Sequence, residues 1–411
     1  MSLNNRILLG AVVGLLLGWG FAVLGPNDVT AQRGLYISGL VSGVFIDLLK
    51  MVLVPLIFTS IAVGVANLRA HRQMHKVWTT TLLWSAVTTT LSITIGLTAA
   101  HIFHPGQGLQ LESFHAAMSG FAATKLTLPE FFEKFLHGIF MSPFTAMVQG
   151  NILAIVVFAL LVGMTLVAAG ERYPTVLKLL QECFDLTMHI VGWIMLLAPV
   201  GIAALLAKLI ATENVALLGS LAKFVLVVTG TTLFHGLVVL PLLLFLIVRI
   251  SPWRFWRGAR PALITAFATS SSSATMPVTM GALEKEFKVS PHVTGFVVPL
   301  GAHLNMDGTA LYEAAAALFV ANLAGVDLSL GQQIVVCLTT MLAAIGAPGI
   351  PSAGMVTMIM VLQSVGLPAE AVAILLPFDR LLDTVRTMVN VQGDMVTSLI
   401  VQKVAMGEEE P

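Results

Sequence analysis

The sequence predicts an all-α polytopic membrane protein, and three observations carry that fold class. Of its 411 residues, 57% are hydrophobic and only 10% charged, whereas a soluble domain carries about 25% charged residues. The apolar residues gather into continuous runs long enough for spanning helices, which need about 20 residues each. In the C-terminal third those runs are broken internally by Gly, Pro, Ser and acidic residues, a pattern tolerated at membrane depth only where protein encloses the break. The formal net charge is zero. That leaves no electrostatic footprint for nucleic acid, so the bilayer and small solutes are the expected partners. Cys183 and Cys337 sit in apolar surroundings without metal-ligand spacing and are expected to be buried small side chains.

Taken in order, the first six spanning segments fall at roughly 7–24, 36–68, 78–103, 151–169, 185–212 and 219–249. The first is long enough to span and lacks a convincing cleavage site, so no cleavable signal peptide is expected. Several others exceed the bilayer requirement, which implies tilt or extension beyond it. Basic residues mark the cytoplasmic side. Arg69, Arg72 and Lys76 fall between spans two and three, Arg172 and Lys178 between four and five, and Arg249, Arg254, Arg257 and Arg260 after six. The alternate connections hold only Arg33, Lys125 and Lys134. An inner cell membrane location with both termini cytoplasmic satisfies this asymmetry.

Beyond residue 258 the runs are interrupted. Pro261–Pro277 contains Thr269-Ser-Ser-Ser-Ser-Ala-Thr-Met-Pro277, and Ile334–Leu367 contains Gly346-Ala-Pro-Gly-Ile-Pro-Ser-Ala-Gly354. Gly and Pro stop a helix, so each run reads as a re-entrant helical hairpin whose tip reaches the midplane. Flanking charge gives them opposite orientations. The first follows an arginine cluster and ends at Glu284-Lys-Glu-Phe-Lys288, while the second lies between Asp327 and Glu370. Each is followed by a polar-interrupted span, Val293–Leu323 and then the last helix. Hairpin–span followed by hairpin–span of opposite orientation is an inverted repeat that, with the six earlier spans, makes eight spans and two re-entrant hairpins, and corresponding interrupted elements in such a repeat point to a transporter's binding site.

The last helix carries the densest signal. At about 100° per residue, Asp379, Asp383, Arg386, Thr387, Asn390 and Asp394 share one face, opposite mostly Leu, Val and Met. Each ionised group at the bilayer centre costs at least about 2.5–3.5 kcal/mol. An interhelical network that only locks a bundle would need one or two such residues, so a site for a charged solute is the better reading. Arg386 presents a planar fork suited to a carboxylate. Asp383 suits a cationic group, and an acidic amino acid offers both. In Asn305-Met-Asp-Gly-Thr309 the oxygens and the permissive glycine suit a small hard cation, and Asp394 with Asn390 suits a second. The four serines read as a hairpin tip supplying backbone groups, although serine also serves ordinary helix contacts in membranes.

Four motifs then make a resemblance specific: Ser-Ser-Ser-Ser at 270–273, Asn-Met-Asp-Gly-Thr at 305–309, Gly-Ile-Pro-Ser-Ala-Gly at 349–354 and Asp-Thr-Val-Arg-Thr-Met-Val-Asn-Val-Gln-Gly-Asp at 383–394. In this order, over nearly the whole chain, they resemble the dicarboxylate/amino acid:cation symporters, the family of excitatory amino acid transporters and archaeal sodium/aspartate transporters. The resemblance implies a homotrimer working by an elevator mechanism. Residues 1–75 (spans one and two) and 151–215 (spans four and five) would form the scaffold. Residues 76–150 (span three and an extracellular loop) and 216–411 would form the transport domain, the latter with span six, a hairpin at about 258–290, span seven, a hairpin at about 330–367 and span eight.

For the site, the resemblance implies that Asp383 binds the substrate α-amino group and Arg386 its side-chain carboxylate, with Thr309, Thr387 and Asn390 assisting. Ser271, Ser272, Ile350 and Gly354 would close the pocket. One co-transported sodium ion would use Gly301, Asn305, Asn390 and Asp394. A second would use carbonyls of His303, Ala344, Ile345 and Ala347, and a third Asp307, Asn305, Thr88 and Thr89. Glu313 matches a glutamate held to carry a proton in eukaryotic relatives, and as a lone carboxylate it equally fits a structural role.

The departures are specific. Ser85 replaces a tyrosine usual near the third sodium site, and His303 replaces a common threonine. Ser270 and Thr384 stand where relatives carry a second arginine; Arg380, one turn before Thr384, would substitute for it or simply pair with Asp379 or Asp383. The implied function is sodium-coupled symport of L-aspartate or L-glutamate, with no enzymatic activity. Rivals are a proton-coupled glutamate/aspartate carrier, a neutral amino acid carrier, against which the retained Arg386 speaks, and a C4-dicarboxylate carrier. The retained Asp383 speaks against a C4-dicarboxylate carrier, and Asp394 favours sodium over protons. An intramembrane serine hydrolase using Ser270–Ser273 with His303 as base lacks a nucleophile-elbow pattern.

Overall fold

The computed structural model describes residues 3–25, 27–67, 75–107, 140–149, 151–212, 215–346 and 353–406. Among them the regular structure is entirely helical. Helices α1 (Leu3–Leu24) and α2 (Val29–Asn67) are joined by a short turn. There Asp28 Oδ1 accepts the backbone N–H groups of Thr30 at 2.8 Å and Ala31 at 2.9 Å, satisfying donors that a helix start leaves without partners. Next come α3 (His75–Phe103), the short α4 (Pro143–Gln149), α5 (Ile152–Ala168) and α6 (Pro174–Thr212). The two arms of α6 meet at 48° between Ile194 and Leu196. Pro199 has no N–H to offer the carbonyl of Met195, which accounts for the bend.

The sixth span is α7 (Val215–Phe234) continued by α8 (Leu240–Val248) through a π-helical turn, His235–Val239, that periodicity did not foretell. The next helices are started by local chemistry. Ser251-Pro252 opens α9 (Pro252–Thr269) and Ser290-Pro291 opens α11 (Pro291–Leu304), each serine hydroxyl accepting a first-turn N–H with proline at the position where its missing donor costs nothing. Between them, Ser270 takes a left-handed conformation (φ 49°) that ends α9, and Ser271 caps α10 (Ser272–Glu286) through Ala274 N–H at 3.1 Å. Two adjacent serines thus stop one helix and start the next.

The Asn305–Asp307 break appears where the motif placed it, dividing α11 from α12 (Asp307–Leu323). α13 (Leu330–Gly346) and α14 (Ala353–Ser364) flank residues 347–352, which lie outside the described residues. The last helix, α15, runs from Val372 to Met406.

Two groups of helices emerge from the contacts. α1, α2, α5 and α6 pack on one another. Gly10, Gly14 and Gly18, one per turn of α1, lie so close to α6 that a Cβ would overlap backbone atoms of Pro199, Ala203 and Ala207, the small-residue spacing that lets membrane helices approach closely. The other helices gather around α12 and α15, with α9 against α10 and α13 against α14. α12 is buried along its length except at Asn322. Contacts between the groups run mainly from α13 and α14 to α2 and α5, and from α15 to α6.

By length and composition, two described helices suffice to cross a membrane, Lys76–Phe103 and Gly219–Val248, with a third if the arms of α6 count as one span. α15 is long enough but carries Asp379, Arg380, Asp383 and Arg386 within its first half. Cys183 and Cys337 are free and only partly buried, not fully enclosed as expected.

Candidate functional site

The polar face of α15 is turned inward as its periodicity requires. Asp379, Asp383, Arg386, Thr387, Asn390 and Asp394 are all buried, Arg386 completely. Side chains on a helix lean toward its N-terminus, so Arg386 reaches back along its own face. Its Nη2 donates to Asp379 Oδ1 at 2.7 Å and to Asp383 Oδ1 at 3.0 Å. Arg380 Nη1 lies 3.5 Å from the other Asp383 oxygen. Two cations and two anions thus alternate along two turns of α15. The Tyr312 ring, contributed by α12, lies under the guanidinium, with Arg386 Cζ 4.1 Å from its centroid. This cation–π contact is strengthened where water is excluded.

Arg386 keeps donors in reserve. Among the described residues, its Nε and Nη1 have no hydrogen-bond partner, and an orphaned buried donor costs about 1–3 kcal/mol or more. Close by is Gly354 at the start of α14, where a Cβ would stand 3.6 Å from Arg386 Nη1 and 3.1 Å from Thr309 Cγ2. Ser271 and Ser272 are buried at the α9–α10 turn. Ile350 and Ala347 fall outside the described residues, as does the Ile345 side chain.

Asn390 joins α15 to the helix break. Its Oδ1 accepts from Gly308 N–H at 2.8 Å and Thr309 N–H at 3.3 Å, and its Nδ2 donates to Thr309 Oγ1 at 3.1 Å. Met306, at the cap position of α12, has no side-chain oxygen to do this, so the cap comes from another helix. The approach is tight, because a Cβ on Gly308 would overlap the Arg386 carbonyl.

Oxygen atoms converge below the break. Gly301 lies against Asp394, such that a Cβ would overlap Asp394 Oδ1, and that oxygen has no partner among the described residues. Asn305 is fully buried beside Gly393, whose Cβ would meet Asn305 Nδ2 and Asp307 Oδ2. Asp307 Oδ1 accepts from Thr88 Oγ1 at 3.1 Å and Thr89 Oγ1 at 2.9 Å, and Thr88 also reaches Asn305 Oδ1 at 3.1 Å. Ser85 is buried a turn before, its carbonyl accepting from Thr88 Oγ1 at 3.2 Å. His303 is partly buried in the last turn of α11, and Ala344 packs on Met306. The anionic and neutral oxygens around Asp394 and Asp307 fit a small hard cation.

Sequence reasoning missed three members of this centre. His235, fully buried in the π-helical turn, brings Nε2 to 3.2 Å from Asp307 Oδ2. It was detectable as a lone ionisable side chain inside an apolar run. Thr357 donates to Glu313 Oε1, while Glu313 Oε2 has no partner among the described residues. Tyr312 carried no signal in an Ala-rich segment, since its partner Arg386 lies on another helix.

Residues 3–404 match the family model described as the sodium:dicarboxylate symporter family. The chain is 34% identical over 456 residues to excitatory amino acid transporter 3 of Mus musculus, covering 99% of this chain and 87% of that one. Identity to excitatory amino acid transporter 3 of Homo sapiens is 33% over 457 residues, with 99% and 87% covered. It is 31% identical over 406 residues to the proton/sodium-glutamate symport protein of Bacillus caldotenax, with 98% and 94% covered. These are transporters rather than hydrolases, and with a family match running from end to end the chain belongs to the sodium:dicarboxylate symporter family.

Proposed function

We propose that this protein is a secondary active transporter that carries an acidic amino acid, L-aspartate or L-glutamate, together with sodium ions. The observation that carries the reading is Arg386, fully buried, with Nη2 on Asp379 and Asp383 and with Nε and Nη1 lacking partners among the described residues. A substrate carboxylate would accept a charge-assisted hydrogen bond from Nη1, the donor beside Gly354, while its ammonium group would take Asp383 from Arg386. Asp379 would keep the guanidinium in place throughout. The ligand's ammonium group thereby replaces a contact the protein already makes internally, and its carboxylate meets a donor left without a partner among the described residues, which limits the desolvation penalty of binding a charged ligand in a buried site.

Sodium is the favoured coupling ion because Asp394 and Asp307 stand among neutral oxygens next to this centre. Asn390 links the two functions, with its side chain on the α12 start and its backbone between Arg386 and Asp394. Proton coupling is the second reading. It draws on buried Glu313 with its Thr357 bond and on a relative named for both protons and sodium.

The packing supports a division into a scaffold of α1, α2, α5 and α6 and a transport unit built on α12 and α15, moving as in an elevator. α9–α10 and α13–α14 would be the two re-entrant hairpins. Large exposed apolar side chains on the first group, among them Leu16, Trp19, Leu186 and Trp193, would face lipid or the partners of a homotrimer in the inner cell membrane, with both termini cytoplasmic. Uptake of labelled L-aspartate, L-glutamate, succinate and L-serine into proteoliposomes, with and without a sodium gradient, tests the reading. Sodium-driven uptake of the two acidic amino acids is expected, and preferential uptake of succinate or L-serine would overturn it.

A further inference from the structure

The sixth span does not run straight past the cation centre. At His235–Val239 it widens into a π-helical turn, a feature that inserts an extra residue into a helix and recurs at functional sites. The turn is fastened on two sides. Gln392 of α15 donates its Nε2 to the Gly236 carbonyl at 2.5 Å. His235, fully buried, directs Nε2 to Asp307 Oδ2 at 3.2 Å. A carboxylate only accepts, so Nε2 carries the hydrogen. Asp307 is therefore held from both ends: Thr88 and Thr89 donate to Oδ1 and His235 to Oδ2.

These donors are not equivalent. A threonine hydroxyl can rotate its hydrogen away and present lone pairs to a cation, whereas the imidazole Nε2–H cannot. We propose that His235 is a positioning residue for the Asp307 cation site, fixing Oδ2 so that Oδ1 faces Thr88, Thr89 and Asn305, with Gln392 holding the turn that presents it. Its role is to donate a hydrogen bond to an oxygen ligand from behind and so fix that ligand's orientation. It also ties the sixth span to α15 between Asn390 and Asp394, the residues read as serving substrate and cation. The inference rests on the sodium reading of Asp307.

The test uses the full-length protein in proteoliposomes, with sodium chloride exchanged for choline chloride at constant ionic strength. The quantity measured is the sodium concentration for half-maximal L-aspartate binding. Glutamine places an amide nitrogen where Nε2 stands, and asparagine stops a bond short. His235→Gln is expected to stay within about threefold of the unmodified protein. His235→Asn is expected to need about tenfold or more sodium, with the L-aspartate affinity at saturating sodium unchanged. Gln392→Met, which keeps the side chain's length and removes the donor to Gly236, is expected to shift the sodium requirement the same way, and it decides the matter if His235→Asn does not fold. An unchanged sodium requirement in the shortened variant, or equal losses in the Gln and Asn variants, would overturn the role. Asp307→Asn separates the two readings: if it leaves the sodium dependence unchanged, the cation assignment at Asp307 fails, whereas if it weakens that dependence while His235→Asn does not shift it, only the role of His235 fails.

Discussion

Arg386 Nη2 stands 2.7 Å from Asp379 Oδ1, two helical turns away on the same face of α15. The same nitrogen lies 3.0 Å from Asp383 Oδ1. On the proposed reading Asp379 anchors the guanidinium and Asp383 exchanges it for a ligand's ammonium group. Asp379→Asn removes the anchor and leaves the Asp383 contact on Arg386. Hydrogen bonds to charged groups contribute about 1.5–3 kcal/mol, so the affinity for an acidic amino acid should fall roughly 10- to 100-fold. Equilibrium binding to the purified variant checks this.

Removing the guanidinium itself should change which substrates bind. Arg386→Cys leaves Asp379 and Asp383 without their shared partner, so stability and affinity both fall. The loss of a buried charge-paired contact, a few kcal/mol, corresponds to a hundredfold or greater loss in affinity for L-aspartate, and neutral amino acids become admissible. Competition binding with L-serine and L-aspartate measures the exchange. Unchanged aspartate affinity would remove Arg386 from the substrate site.

Coupling should appear as linkage. If Asp307 and Asp394 hold ions that bind alongside the substrate, L-aspartate affinity rises steeply with sodium, and Asp394→Asn flattens the dependence. Titrations in sodium and in choline at matched ionic strength give the slope. Equal affinity in both salts would mean the driving ion is another.

Gly301 offers a steric test of the same region. A Cβ there overlaps Asp394 Oδ1, so Gly301→Ala forces the carboxylate to move within a close-packed interior. Sodium-dependent binding should fall at least tenfold, by analogy with the cost of disturbing groups that orient a metal ligand, while Gly295→Ala, where a Cβ meets nothing within 4 Å, serves as the neutral control.

Arg380 remains the substitution most particular to this chain. Its Nη1 lies 3.5 Å from Asp383 Oδ2, so the guanidinium sits beside the carboxylate read as taking the substrate's ammonium group. If it orients Asp383 toward the substrate's ammonium group, Arg380→Ala lowers transport sharply, and an arginine introduced at position 270 or 384 restores part of it. A normal turnover rate in the alanine variant would reduce Arg380 to a structural counter-ion.

Local chemistry made much of this fold legible. The 3.6-residue period alone put Asp379, Asp383, Arg386, Thr387, Asn390 and Asp394 on one face, and all are buried. Ser-Pro pairs at 251–252 and 290–291 start helices where they stand, and the Asn305–Asp307 break separates α11 from α12. Each of these follows from backbone donors, proline's missing N–H or helical geometry within a few residues, so sequence suffices.

Partner choice was decided elsewhere. Arg386 rests on Tyr312 from a different helix, Asn390 caps α12 from across the core, and His235 meets Asp307, which is 72 positions away in sequence. The same polar face on α15 is compatible with several pairings among Arg380, Arg386, Asp379 and Asp383. Which one forms depends on what fills the space opposite, and on a π-helical turn at 235–239 for which the sequence carries no periodic signal. Periodicity fixes the direction in which a side chain points. Only the packing of distant segments, where an unpaired buried charge would be too costly to leave, fixes what it meets.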